Sequence, residues 1–209
     1  MEAMEIGLYD KRLNLVVGLN SAIQRRLVLR VFDVGEVNRA VAASVGVGGK
    51  GQDVLLASSC MTLRAIRETK LLQFVGHGAE GDTLLAILEQ VVSPSNLLTV
   101  RTKGRCRTCI TLIDQSSNKS TELIEPSDNI SEMEVIELLQ LAHAVCNKLS
   151  NDINENNIEA AKVAGLAIMG SLPPGVSTDT YAQIVSRVCD CNSRIILDTV
   201  VGLPRTLEQ

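Results

Sequence analysis

A glycine-rich run with one lysine and one aspartate is the part of this sequence best suited to bind a ligand. It reads Gly46-Val47-Gly48-Gly49-Lys50-Gly51-Gln52-Asp53 and is followed by the apolar segment Val54-Leu55-Leu56-Ala57. Glycines let a ligand approach the backbone closely, so backbone N–H groups and the Lys50 ammonium can reach anionic or polar groups. We expect the run to open a helix, whose N-terminal end adds to this attraction. An oxygen-rich ligand is therefore expected here.

Three uses of a glycine-rich loop can be compared with the spacing of this one. A Walker A loop fails twice, because Ser44 stands where its first glycine belongs and Gly51 replaces the Ser or Thr that holds magnesium. The dinucleotide pattern G-x-G-x-x-G fits through Gly46, Gly48 and Gly51, with Glu68 as its acidic residue, although a strand-rich segment precedes it. A turn that only joins a strand to a helix is the third alternative.

The cysteines and histidines predict no second site. Six cysteines, at positions 60, 106, 109, 146, 189 and 191, lack the spacing of a disulfide framework, so free thiols are expected. Cys106 and Cys109 form a C-x-x-C pair, but the surrounding residues alternate like a strand and place the two sulfurs on opposite faces, which disfavours a metal site. His77 and His143 have no partner at an informative spacing, and Ser171 is not in a G-x-S-x-G elbow.

Composition disfavours several classes of partner. The 209 residues are 45% hydrophobic, which is enough for one well-packed domain. The 20 basic and 24 acidic residues give a net charge of −4, and only 2% are aromatic, so neither a basic surface nor stacking rings for nucleic acid are expected. The acidic N-terminus does not resemble a signal peptide and no apolar run approaches the roughly 18 residues of a membrane span, so a cytoplasmic protein is expected.

The elements that would hold the glycine-rich run alternate between strands and helices. Strands are predicted at 13–19, 28–32, 41–47, 70–75, 97–101, 105–113, 120–124, 163–169 and 194–197, and helices at 53–63, 81–92, 132–149 and 178–189. Ser131 with Glu134 predicts a capping box at the start of the third helix. Residues 105–113 and 120–124 predict a hairpin, and residues 151–157 a polar loop. This pattern predicts an α/β fold, a three-layer α/β/α doubly wound and mostly parallel sheet with ligands at the strand ends.

Several short motifs together resemble those of the PfkB (ribokinase-like) carbohydrate kinases, in particular the 1-phosphofructokinase and tagatose-6-phosphate kinase branch. In chain order they are Leu19-Asn20-Ser21-Ala22-Ile23, Gly35-Glu36-Val37-Asn38-Arg39-Ala40, Gly48-Gly49-Lys50-Gly51, Arg107-Thr108, Thr121-Glu122-Leu123-Ile124-Glu125-Pro126, Gly170-Ser171-Leu172-Pro173-Pro174-Gly175 and Leu197-Asp198-Thr199. The resemblance runs over residues 13–202 as one domain, with 1–12 and 203–209 as tails. It implies a small β-sheet lid, formed by about residues 20–47 and 98–125, over the substrate.

The resemblance also implies which residues bind the substrate. In that family the Gly-Gly-Lys-Gly loop touches the sugar, and an arginine placed like Arg107 helps to bind the substrate phosphate. The substrate-binding residues it implies are Asn20, Gln24, Gly48, Gly49, Lys50, Asp53, Arg107, Glu125 and Ser171. Complete members phosphorylate a hexose phosphate such as fructose 1-phosphate or tagatose 6-phosphate with ATP and magnesium. Lid strands pair between subunits in some relatives, which implies a homodimer here.

Three positions depart from the family pattern. Gln24 stands where an Asp accepts sugar hydroxyls, and a neutral amide offers only one acceptor oxygen. Asp53 stands where an Asn is usual and adds a negative charge beside a site for phosphate. Cys109 replaces another polar contact. Weaker or altered sugar binding is therefore expected.

The end of the chain is the largest departure. Family members continue through nucleotide-binding loops and a Gly-Ala-Gly-Asp motif that carries the catalytic base, and no Gly-Ala-Gly-Asp occurs in this sequence. We therefore expect the base to lie beyond Gln209, ATP and magnesium not to bind, and the chain to be a truncated, weakly active or inactive kinase. The apolar strand at Ile195-Ile196-Leu197 is then expected to leave a hydrophobic edge open. The alternatives are a non-catalytic sugar-phosphate-binding or interaction protein and, third, a nicotinamide-dependent enzyme.

Overall fold

The computed structural model describes residues 13–61, 69–151 and 163–199, so Glu68, most of the predicted 151–157 loop and both tails lie outside the described residues. The strands are β1 (Asn14–Val17), β2 (Ala22–Leu29), β3 (Ala42–Gly48), β4 (Thr69–His77), β5 (Leu97–Arg105), β6 (Arg107–Asp114), β7 (Lys119–Ile124), β8 (Gly165–Met169) and β9 (Arg194–Asp198). The helices are α1 (Lys50–Met61), α2 (Ala79–Glu89), α3 (Glu132–Asn151) and α4 (Thr180–Val188), with a short 3₁₀ turn at Pro94–Asn96.

A parallel five-stranded sheet in the order β5-β4-β1-β8-β9 forms the centre of the fold. Because successive side chains of a strand point to opposite faces, each buried strand supplies both sides of the core. Leu15 and Val17 of β1 pack in the cluster that includes residues of α3 and α4, whereas Val16 packs in the cluster that includes residues of α1 and α2. This is the predicted α/β/α arrangement.

A second, mixed sheet of four strands in the order β3-β2-β6-β7 lies beside the central one. The chain enters it after β1 and again after β5, with Cys106 alone between β5 and β6. The predicted hairpin is present as the antiparallel pair β6–β7. Two bounds differ from expectation: residues 98–105, which were expected in the lid, lie in the central sheet, and β2 begins at Ala22 instead of Val28. The consecutive exposed arginines Arg25 and Arg26 break the apolar alternation that would have revealed β2.

The predicted capping box begins α3. The backbone N–H and the hydroxyl of Ser131 each donate to Glu134 Oε2 at 2.7 Å, and the Glu134 N–H donates back to Ser131 Oγ at 3.4 Å. The backbone N–H of Lys103 in β5 donates to the other carboxylate oxygen at 2.7 Å. Burial opposes ionisation of Glu134, but these hydrogen bonds outweigh it and hold the pKa of the carboxyl below its usual value. The cap therefore also ties α3 to the central sheet.

The predicted apolar edge is present at β9, the outermost strand on one side of the described central sheet. Ile195 is 42% exposed and Ile196 is 64% exposed. In the described ranges, no helix is long and apolar enough to cross a membrane.

Candidate functional site

A cleft of about 280 Å³ lies where the carboxyl ends of β1 and β8 meet the N-terminus of α1 and the second sheet. This is the edge at which open α/β sheets bind ligands. Of the nine residues predicted to bind substrate, those that line the cleft are Asn20, Gly49, Lys50, Asp53, Arg107 and Ser171. In the sequence these residues lie on four separate segments, and the fold brings them together.

Two glycines allow α1 to start inside the cleft. Gly49 has φ of +110°, a conformation that residues with a Cβ rarely adopt, and its carbonyl accepts the first helical hydrogen bond from the Asp53 N–H at 2.9 Å. A Cβ added to Gly51 would lie 2.4 Å from the Cα of Gly18 at the end of β1. The helix therefore rests directly on the strand end, and part of the glycine-rich run serves this packing.

Asn20 joins the separate segments that form the cleft. Its amide nitrogen donates to Ser171 Oγ at 3.1 Å, and its amide oxygen accepts from the Ser127 hydroxyl at 2.6 Å. Its backbone carbonyl accepts from Arg107 Nη2 at 3.0 Å. These bonds hold the loop after β1, the loop after β8 and strand β6 of the second sheet in one arrangement.

Lys50 reaches across the cleft to the end of β9. Its ammonium donates to both carboxylate oxygens of Asp198, at 2.9 and 3.1 Å. Gly170 fixes the loop that follows β8. Its N–H donates to the Asp198 carbonyl at 2.8 Å, and its carbonyl accepts from the buried Tyr181 hydroxyl at 3.1 Å. Asp198 is therefore held at the rim of the cleft by two of its lining residues, Lys50 and Gly170.

The charges around the cleft are balanced. Lys50 and Arg107 supply two positive charges, and Asp53 and Asp198 supply two negative ones. Partial burial raises the pKa of the Asp53 carboxyl, because burial penalises its charged form. Among the described residues, Arg107 Nε is one of the buried polar atoms without a hydrogen-bond partner.

Three predicted residues lie outside the lining of the cleft. Gln24 donates to Thr111 Oγ1 at 2.7 Å, within the second sheet. Glu125 accepts from the backbone N–H of Thr108 at 2.9 Å, next to the lining residue Ile124. Gly48 is the buried last residue of β3. The Gln24 side chain, which departs from the family pattern, therefore hydrogen-bonds within the second sheet and does not line the cleft.

Sequence reasoning missed several lining residues, namely Gly18, Gln52, Ile124, Met169 and Gly170. Gln52 is fully buried, and its amide nitrogen donates to the Gly18 carbonyl at 3.0 Å and to Gln73 Oε1 at 2.9 Å. Gln73 in turn donates to Thr99 Oγ1 at 3.0 Å, so a buried polar chain runs from the cleft floor to β5. Gln73 is the feature of the sequence that could have indicated this chain, because a glutamine inside an apolar strand requires a buried hydrogen-bond partner.

The other patterns in the sequence do not form sites. The G-x-G-x-x-G glycines Gly46 and Gly48 lie in β3, which pairs antiparallel with β2, and not in the first strand of a βαβ unit. Burial raises the pKa of the Cys106 and Cys109 thiols, which keeps them protonated and poor as metal ligands or nucleophiles. Within the described part of the chain, no cluster of three or more His, Cys, Asp or Glu residues could hold a metal ion.

A larger cavity of about 590 Å³ lies on the α1 side of the sheet, between β1, β8 and β9. Its lining is mainly apolar or neutral and includes one charged residue, Arg194. Binding of a polar ligand requires convergent polar groups, so the smaller cleft is the candidate site.

No family model matches the chain. A protein named 1-phosphofructokinase from Rhodobacter capsulatus is 25% identical over 190 residues, which make up 88% of this chain and 52% of that protein. The tetrameric inhibited form of phosphofructokinase-2 from Escherichia coli has a TM-score of 0.73 at 21% identity, covering 94% of this chain and 58% of that one. The same protein in complex with fructose-6-phosphate has a TM-score of 0.70, also at 21% identity, with the same coverage.

This chain therefore spans about half the length of the relatives it matches. The chain has a parallel central sheet with a separate small mixed sheet, and its structure is similar to that of a phosphofructokinase. Together these two findings confirm the predicted fold class. The chain has the ribokinase-like fold of the PfkB-type phosphofructokinases, and a relative named 1-phosphofructokinase covers most of its sequence.

Proposed function

We propose that this chain forms the sugar-phosphate-binding part of a PfkB-type carbohydrate kinase. Its ligand is a hexose phosphate such as fructose 1-phosphate or tagatose 6-phosphate. One observation carries the proposal: Lys50 and Arg107 converge with the polar side chains of Asn20 and Ser171 around one cleft. Cations in a small polar cleft suit a phosphate, and hydroxyl and amide groups suit a sugar.

The size of the cleft favours a monosaccharide over a dinucleotide. Its volume of about 280 Å³ is at the small end of ligand sites, which typically occupy about 300–1,000 Å³. The loop glycines also lack the strand context of a dinucleotide fold. Both observations argue against a nicotinamide-dependent enzyme.

We propose no role for ATP or magnesium in this chain alone. The sequence contains no Gly-Ala-Gly-Asp, and the described residues offer no acidic cluster for a metal ion. The residues present do not fit that half of the reaction, so we propose that the 209-residue chain binds the sugar phosphate without transferring a phosphoryl group at a useful rate.

We further propose that the second sheet acts as a lid over the cleft and as the contact between two copies of the chain. Arg107 and Ile124 of β6 and β7 line the cleft from this side. Hydrophobic side chains are exposed elsewhere on the same sheet, including Val45 at 52% and Leu123 at 50%.

Titration of the purified chain with fructose 1-phosphate, tagatose 6-phosphate and fructose 6-phosphate, followed by NMR chemical shifts, tests the binding. Lys50→Met should weaken binding by about tenfold, since a charge-assisted hydrogen bond to phosphate is worth about 1.5 kcal/mol or more. Lys119→Met is the matched control, because Lys119 lies at the hairpin turn and not in the cleft.

A coupled assay with ATP and magnesium tests the catalytic part separately. We expect no phosphorylation above the rate without protein. Measurable turnover by the 209-residue chain would refute the inactive assignment, and absence of binding by all three sugar phosphates would refute the site.

A further inference from the structure

Asp198 lies at the carboxyl end of β9, and its side chain and backbone each hydrogen-bond to a residue that lines the candidate cleft. The carboxylate binds the Lys50 ammonium through both oxygens, at 2.9 and 3.1 Å. The backbone carbonyl accepts the Gly170 N–H at 2.8 Å and so fixes the loop that carries Ser171. The backbone therefore fixes the position of Asp198 independently of its charge, and its carboxylate binds Lys50, one of the two cations that we propose to bind phosphate.

The pair is accessible to a competing anion. The side chains of Lys50 and Asp198 are 59% and 51% exposed, so water screens their attraction. A phosphate dianion has three acceptor oxygens and carries more charge than a carboxylate. It can therefore replace a carboxylate at an exposed ammonium.

We propose that Asp198 determines the specificity of the cleft for phosphorylated ligands by acting as the counter-ion that the ligand phosphate displaces from Lys50. Without ligand, Asp198 neutralises Lys50. With a sugar phosphate, Lys50 turns to the phosphate and its ion pair with Asp198 breaks, so the cost of breaking that pair lowers the affinity for the phosphate. The residue at 198 therefore sets how much tighter a sugar phosphate binds than the same sugar without phosphate. This inference rests on the proposed function.

The test compares the wild-type chain with Asp198→Asn, using fructose 1-phosphate and unphosphorylated fructose as probes in NMR titrations. Asn is isosteric and preserves the backbone bond to Gly170, so the loop is retained. We expect Asp198→Asn to bind fructose 1-phosphate about two- to fivefold more tightly, the range for one exposed charge interaction, and fructose with unchanged affinity.

Asp82→Asn is the matched control. Asp82 also forms an exposed ion pair, with Arg101 at 2.7 Å, and its substitution changes the net charge by the same amount away from the cleft lining. Its affinity for fructose 1-phosphate should equal that of wild type. A gain of the same size in Asp82→Asn would overturn the proposal, because the effect would then come from net charge.

A double substitution isolates the contact. In a Lys50→Met background, the gain from Asp198→Asn should disappear if the two residues act through their ion pair. A gain that persists there, or an Asp198→Asn variant that binds fructose 1-phosphate no better than wild type, overturns the inference and leaves the proposed function intact. Failure of the wild-type chain to bind any sugar phosphate overturns both.

Discussion

Asp53 is the residue whose identity most directly limits an anionic ligand. Its carboxylate lines the same cleft as Lys50 and Arg107, where the resemblance predicts an asparagine. Replacing it should remove a repulsion without changing shape. We expect Asp53→Asn to bind fructose 1-phosphate about two- to fivefold more tightly near pH 7.5, as one partly exposed charge interaction is worth about 0.2–1 kcal/mol.

The gain in affinity of Asp53→Asn over the wild type should become smaller as the pH falls. Burial raises the pKa of Asp53 above its usual value of 3.8, so protonation of the wild-type carboxyl begins at a higher pH than usual. As pH falls, the wild type loses its negative charge and its affinity should approach that of Asp53→Asn. Titrations of both chains with fructose 1-sulfate, whose charge does not change between pH 7.5 and 5, measure the ratio of the two affinities. Asp53→Glu should behave like wild type; a ratio that grows on acidification would contradict the assignment.

At the level of residues, both predicted cations line the cleft, whereas two of the predicted polar contacts lie outside its lining. Lys50 and Arg107 are recognisable because a cation in a glycine loop or on a strand needs an anionic partner or solvent. Gln24 and Glu125 were assigned to the cleft because of the resemblance, yet both make hydrogen bonds inside the second sheet. A side chain's partner depends on strand register, which short motifs do not specify.

The elements are positioned by a few close contacts, and Gly51 provides the closest at the cleft. A Cβ there would meet the Gly18 backbone at 2.4 Å, whereas a Cβ at Gly46 would meet nothing within 4 Å. Alanine is favoured over glycine in a helix by about 1 kcal/mol, but a clash between two backbones costs about 1–3 kcal/mol. Gly51→Ala should therefore lower the free energy of unfolding by up to about 2 kcal/mol in urea titrations.

Gly46→Ala is the control for this substitution, and it should be neutral or stabilise the chain by about 0.5 kcal/mol. Equal effects at the two positions would mean that α1 does not rest on β1 as described. Such a result would also remove the physical reason for the glycine at position 51.

The cap of α3 predicts an acid-sensitive stability. The pKa of Glu134 is lowered from its usual 4.5, so the folded state favours the ionised carboxyl. Its contribution is present above pH 4.5 and is lost as the pH falls through the lower folded value. Glu134→Gln should cost about 1–2 kcal/mol at pH 7 and lose less stability than wild type between pH 7 and 3.5. Glu132→Gln, at an exposed position in the same helical turn, is the control. Parallel pH profiles for Glu134→Gln and wild type would exclude the cap as the cause.

Element types were more predictable than the borders of the second sheet. Buried strands of the central sheet are almost continuously apolar, and the capping box marks the start of α3, so both can be recognised locally. In contrast, β2 carries Arg25 and Arg26, and β7 is exposed at every residue. A sheet that buries little apolar surface leaves a weak pattern, which explains why the expected lid, about residues 98–125, included residues 98–105 of the central sheet.

At the scale of the whole molecule, two apolar surfaces remain uncovered in the described part. One is the edge strand β9 with Ile195 and Ile196; the other is the second sheet. In the second sheet, Val45 and Leu123 belong to one row across the strands, because Arg25 pairs with Val45 and with Ile110, and Ile110 pairs with Leu123. Residues in such a row share a face. This face presents the apolar side chains of Val45, Ile110 and Leu123 beside Arg25, and protein–protein contacts commonly combine apolar side chains with arginine in this way.

We therefore expect the chain to form a dimer through the second sheet, measured by light scattering after size exclusion. Val45→Lys places a second charge at the β3 end of that row and should shift the chain to a monomer, because an unpaired charge is costly to bury in a contact. Ile196→Lys is the matched substitution at the other apolar surface and should leave the dimer unchanged. The opposite pattern, with a monomer from Ile196→Lys and a dimer from Val45→Lys, would place the contact at the edge of the central sheet. In that case the second sheet would act as a lid alone, and its exposed side chains would need another partner.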